Sequence, residues 1–112
     1  MEITQKRIEP DVAVVAPVGR LTLGRETHAF EATIADLVAK GERKVVLDLK
    51  ELAYVDSAGL GVILASASRL KQAGGALRLA NVGGRVLQVI KMTHTDSVLP
   101  LDADVASAAG KF

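Results

Sequence analysis

Residues 45–64 read VVLDLKELAYVDSAGLGVIL. A β-branched, strand-like run meets Asp56 and Ser57, and two glycines follow at 59 and 61. A strand that runs straight into a helix predicts an α/β unit. The predicted helix starts near Ser57 or Ala58, with Leu60, Ile63, Leu64, Ala67 and Leu70 on one face and Gly74-Gly75 as its stop. The Asp-Ser pair has two readings. Both residues are favoured N-caps, because their oxygens accept hydrogen bonds from the free amides of a first helical turn. The same helix end, partly positive, also tolerates a phosphoryl group on Ser57, which adds about −1.5 to −2 charges. Glycine in a first turn costs on the order of 1 kcal/mol against alanine, so Gly59 and Gly61 serve either tight packing or close approach by another chain.

Working outward, EITQKRI is a polar edge strand, Glu9-Pro10-Asp11 a turn, and VAVVAPVG a strand apolar on both faces, expected to end near Pro17 because proline donates no ladder hydrogen bond. These two strands are expected to form an antiparallel hairpin. Between Arg25 and Lys40 the period changes, and Thr27, Phe30, Ile34, Leu37 and Val38 share a helix face before Gly41. KVVLDL is the next strand, expected beside residues 12–16. ALRLAN is another, GGRVLQVIKM a short helix burying Val86, Val89 and Ile90, SVLPL a last strand, and DADVASAAGKF a final helical turn capped by Asp102 or Asp104. The expected order is β-β-α-β-α-β-α-β-α: a mixed, mostly parallel sheet of four to five strands with helices packed on it.

The chain has 112 residues, which suits a single domain over 1–112. Apolar residues make up 49%, enough for a core burying roughly two thirds of the unfolded surface. Aromatic residues are only 3%, so that core is aliphatic. Fourteen Lys and Arg against 13 Asp and Glu leave a net charge of +1, no electrostatic footprint for nucleic acid or an anionic membrane. There is no cysteine, the N-terminus lacks the apolar core of a signal peptide, and no apolar run approaches the ~20 residues of a membrane span, so a cytoplasmic protein is expected. His28 and His94 lie far apart without companions at ligand spacing, so neither a metal nor a cofactor is expected. The glycines fit neither a Rossmann fingerprint nor a Walker A loop, and Ser57 has no Gly-x-Ser-x-Gly elbow or evident activating histidine; no catalytic residue is assigned. Ser66 and Ser68 lie within the second helix, Ser66 off its expected buried face.

The stretch VVLDLKELAYVDSAGLGVILASASRLKQAGGALRLANV resembles the STAS domains, specifically the bacterial anti-sigma factor antagonists. In that family a serine after an aspartate, followed by a small residue and Gly-Leu-Gly, is phosphorylated. The resemblance implies Ser57 as the phosphorylation site, and Thr22, Asp56, Ser57, Ala58, Gly59, Leu60 and Gly61 as the partner-binding surface. It also implies a partner switch. The unmodified protein binds an anti-sigma factor, a serine kinase using ATP, and frees a sigma factor. Phosphorylation abolishes binding, and a phosphatase acting on phospho-Ser57 resets it. Two positions depart from the family pattern: Thr22 in GRLTLG stands where an acid is common, and His94-Thr95 where Gly-Leu is common. The alternatives are a non-switching STAS subunit of a transporter or scaffold, with Ser57 only a cap, and a small enzyme or phosphate-binding domain using the helix end.

Overall fold

A computed structural model describes residues Met1–Phe112. Strands β1 (Glu2–Ile8) and β2 (Val12–Leu21) precede helix α1 (Arg25–Ala39). Strands β3 (Lys44–Asp48) and β4 (Leu52–Val55) lead into α2 (Ser57–Gln72). Strand β5 (Ala76–Ala80), helix α3 (Gly84–Met92), a 3-10 turn at Thr95–Ser97, strand β6 (Leu101–Asp102) and helix α4 (Val105–Ala109) complete the chain. One six-stranded sheet has the order β1-β2-β3-β5-β6, with β4 also paired to β2. The β1·β2 pair is antiparallel and every other pair is parallel. The expected mixed sheet is therefore observed, with residues 12–15 beside 44–47.

Alternation along β2 explains its continuous apolar run. Ala13 and Val15 join the main core, where Phe30 and Ile34 of α1, Ile63 and Leu70 of α2, and Val86 and Ile90 of α3 meet Val45, Leu47, Leu77 and Leu79 of the sheet. Val12 and Val14 face the other way and form a smaller cluster with Val46, Ala80 and Ala108 of α4. Both faces are thus covered, as a mostly parallel sheet requires.

Four expectations differ in detail. The last strand, expected over SVLPL, forms only at Leu101–Asp102, and Ser97 belongs to the 3-10 turn before it. The sheet has one strand more than expected, because the segment from 44 to 55 is two strands. Asp48 Oδ1 accepts the Lys50 amide in a local turn at 3.2 Å, and the chain restarts as β4. β2 continues through Pro17 instead of ending there. It pairs β3 through Val12–Val15 and β4 through Gly19–Leu21, and Pro17 falls in the gap between the two partners, where no ladder donor is needed. Asp104 caps α4, accepting the Ser107 amide at 2.8 Å, whereas Asp102 is a strand residue. The Asp102 side chain is 1% exposed and binds Arg78 Nε at 2.7 Å and Lys111 Nζ at 2.8 Å.

Candidate functional site

The sheet end formed by β2 and β4 delivers two segments to one place: the loop Thr22–Gly24 and the N-terminus of α2. Asp56 joins them. Its Oδ1 accepts the Gly59 amide at 2.7 Å as the cap of α2, and its Oδ2 accepts the Leu23 amide at 3.0 Å across the gap. These hydrogen bonds, Leu23 first and Gly59 second, hold the Asp56 carboxyl below the usual aspartate value. Asp56 is therefore a carboxylate with both oxygens engaged.

The cap settles one question about Ser57. The helix begins at Ser57 as expected and its N-cap is Asp56, so the alternative reading of Ser57 as the cap does not hold. Only one residue can occupy the cap, and Asp56 is the one with extended backbone dihedrals, φ −96° and ψ −175°. The Ser57 side chain is exposed and its hydroxyl makes no hydrogen bond within the chain. Ala58 is half-buried behind it.

The two glycines divide the two roles that the sequence left open. Gly59 is buried, and a β-carbon there would collide with the carbonyl oxygen of Leu21. Gly59 lets α2 close on the end of β2. Gly61 is exposed, with open space around its α-carbon. Internal packing does not require it, and it leaves the helix surface beside Ser57 flat. Leu60 is 7% exposed and belongs to the core, yet its edge lines a shallow groove with Tyr54, Ser57, Gly61, Leu64, Val89 of α3 and Thr93 just past its end.

Thr22 is half-buried on the loop that Asp56 holds. Its hydroxyl lies 3.4 Å from Glu26 Oε1 and has no bond to Ser57. A carboxylate does stand near this position, but it comes from α1. All seven residues named from the sequence lie along the β2–α1 loop and the first turns of α2. Sequence reasoning missed Leu23, 77% exposed with its amide fixed by Asp56, and the contributions of Tyr54, Val89 and Thr93. The signal for Leu23 was a large apolar residue between a strand end and Gly24; nothing local announced Val89 or Thr93. Ser66 proves buried at 4% exposure, its hydroxyl donating to the Val62 carbonyl at 2.7 Å, so it is no surface serine. His28 and His94 are exposed, and no three His, Cys, Asp or Glu side chains cluster as a metal site would require. No helix is long and apolar enough to cross a membrane.

The STAS domain family model matches residues 4–108. A Bordetella bronchiseptica protein, BtrV, a candidate anti-sigma factor antagonist, is 35% identical over 112 residues, 100% of this chain and 95% of its own. The crystal structure of a candidate anti-sigma factor antagonist from Thermotoga maritima superposes with a TM-score of 0.88 at 24% identity, covering 97% of this chain and 92% of that one. The antagonist SpoIIAA, solved in unphosphorylated form, shares the fold with a TM-score of 0.75 at 16% identity, covering 96% of this chain and 94% of its own.

Proposed function

Because this chain belongs to the STAS domain family, we propose that it is an anti-sigma factor antagonist whose binding to its partner is controlled by phosphorylation of Ser57. The observation that carries the proposal is the division of labour at the start of α2. Asp56 does the capping, Gly59 does the packing, and the exposed Ser57 hydroxyl is left without a structural task. The partly positive N-terminus of α2 tolerates added negative charge on an exposed serine without unfolding, against some repulsion from Asp56.

The partner in this reading is an anti-sigma factor serine kinase. Unmodified protein offers it the groove along Leu60, Gly61 and Leu64, with Leu23 on the adjoining loop. The kinase transfers the γ-phosphoryl of ATP to the Ser57 oxygen, and the hydroxyl proton leaves. The product has a phosphoryl group beside the Asp56 carboxylate, whose oxygens are both committed to amides. Two adjacent anions at a contact surface must stay solvated, so the interface opens. A phosphatase hydrolyses the ester and restores the hydroxyl. The chain itself is a substrate and a ligand without catalytic residues, working in the cytoplasm as one STAS domain. Thr22, with Glu26 beside it, belongs to the kinase-docking rim. Thr22→Asp is expected to change the phosphorylation rate more than the stability, and unchanged kinetics would remove this loop from the docking surface.

Intact-mass analysis of protein purified from its native host tests the reading. The expected result is a mixture of unmodified and singly phosphorylated chains, with fragmentation placing the group on Ser57. A phosphoryl group on a different residue, or none under any growth condition, would contradict it.

A further inference from the structure

The pairing of β2 with β4 is irregular beside the site. Gly19 pairs with Leu52, Arg20 with Tyr54 and Leu21 with Val55, so Ala53 is skipped. Gly19 has a φ of 95°, and the space where its β-carbon would stand is empty, so the glycine serves the backbone and not the packing. Such a bulge re-aims the next side chain. Here it sets the Arg20 guanidinium over the Tyr54 ring, 4.6 Å from the centroid. Arg85, the second residue of α3, joins it, and Arg20, Ala53, Tyr54 and Arg85 line one surface depression.

Two features separate this depression from ordinary surface charge. Arg25, Arg43 and Arg69 also lack a carboxylate partner, but Arg20 and Arg85 line one depression together, neither with a carboxylate within ion-pair distance, and no acidic residue lines it. Tyr54 also lines the groove that contains Ser57, so the two depressions share a wall. A protein seated in the Ser57 groove therefore meets a residue that also lines the arginine depression.

We propose that the Arg20–Tyr54–Arg85 depression is the docking point for an acidic segment of the protein that recognises Ser57. A guanidinium desolvated without a counter-charge opposes binding, whereas a carboxylate meets its fork of donors with two parallel hydrogen bonds. The depression thus selects partners with Asp or Glu opposite it and rejects those with a basic or neutral surface there. This rests on the reading of the Ser57 face as a docking face, but its test needs neither the partner nor the modification.

Amide-resolved NMR titration of the isotopically labelled chain with capped hexaglutamate, at low ionic strength, is that test. Saturable shifts are expected at Ala53, Tyr54 and Arg85, weakening as salt is raised. The double variant Arg20→Ala, Arg85→Ala is expected to bind at least about tenfold more weakly, a difference of about 1.4 kcal/mol. Both side chains are exposed, and a thermal melt checks that this variant is folded. Should it not be, Arg85→Ala alone carries the comparison. The titration uses unphosphorylated chain and no kinase, which keeps this result independent of the phosphorylation assay. Shifts scattered over Lys6, Lys50 and Lys71, or equal binding by the variant, would overturn the proposal. So would a site that inorganic phosphate saturates and hexaglutamate does not, because that would be a pocket for free anions.

Discussion

The carbonyl oxygen of Leu21 occupies the place where a β-carbon on Gly59 would stand. This contact fixes how closely α2 approaches the end of β2, and so where Ser57 is presented. Because that oxygen belongs to the backbone, it cannot swing aside. Gly59→Ala is therefore expected to destabilise the fold by several kcal/mol, beyond the 1–3 kcal/mol typical of overpacking. Gly61→Ala, in open space on the same helix, is expected to be neutral or to stabilise by up to about 1 kcal/mol through helix propensity. Urea unfolding of the two variants checks the contrast, and equal destabilisation would remove the distinction between a packing glycine and an access glycine.

Removing the Ser57 hydroxyl is expected to leave stability unchanged within about 0.5 kcal/mol, as for a surface substitution without partners. Asp56→Ala is expected to destabilise more, since it removes the α2 cap and the link to Leu23 together. Thermal melts rank the two. A larger loss for Ser57→Ala would return the capping role to Ser57.

Ile63 is 1% exposed in the aliphatic core beneath the site. With few aromatic side chains to collapse inward, Ile63→Ala is expected to leave a cavity and cost about 2–5 kcal/mol. Chemical denaturation measures this, and a loss below about half a kcal/mol would mean that the helix register is wrong.

Asp102 predicts a pH dependence. Its hydrogen bond from Arg78, and then that from Lys111, lower its pKa from the ordinary 3.8. A carboxyl lowered on folding contributes stability that is fully present above the unfolded value and lost as pH falls through the folded one. Wild-type protein is therefore expected to lose stability progressively below about pH 4, with Asp102→Asn less stable at neutral pH by roughly 1–3 kcal/mol and flatter over the acid range. Parallel stability profiles for the two proteins between pH 7 and pH 2 would contradict this assignment.

Most of the architecture is legible in the sequence because the patterns are strong: a continuous β-branched apolar run in β2, and three-four spacing from Thr27 to Val38. The missed strand break has a physical cause. Leu49 and Leu52 are both buried, so core leucines flank the charged Lys50-Glu51 pair on either side and conceal the turn. Pro17 misled for a related reason, since no local signal says that β2 changes partner at that point. At the site, the Asp56-Ser57 pair and both glycines stand out in the chain, but which of the pair caps the helix depends on backbone dihedrals. Tyr54 and Arg20 come together only through the bulge after Gly19, a tertiary feature with no motif of its own.

In the proposed switch, a phosphoryl group on Ser57 decides binding. Calorimetric titration of the anti-sigma factor kinase of the same organism with two forms of this chain tests it most directly: one unmodified, the other with phosphoserine installed genetically at position 57. Saturable binding is expected of the unmodified form and binding at least about tenfold weaker of the phosphoserine form, a difference of about 1.4 kcal/mol or more, with both forms melting alike. Equal affinity for the two forms would contradict it.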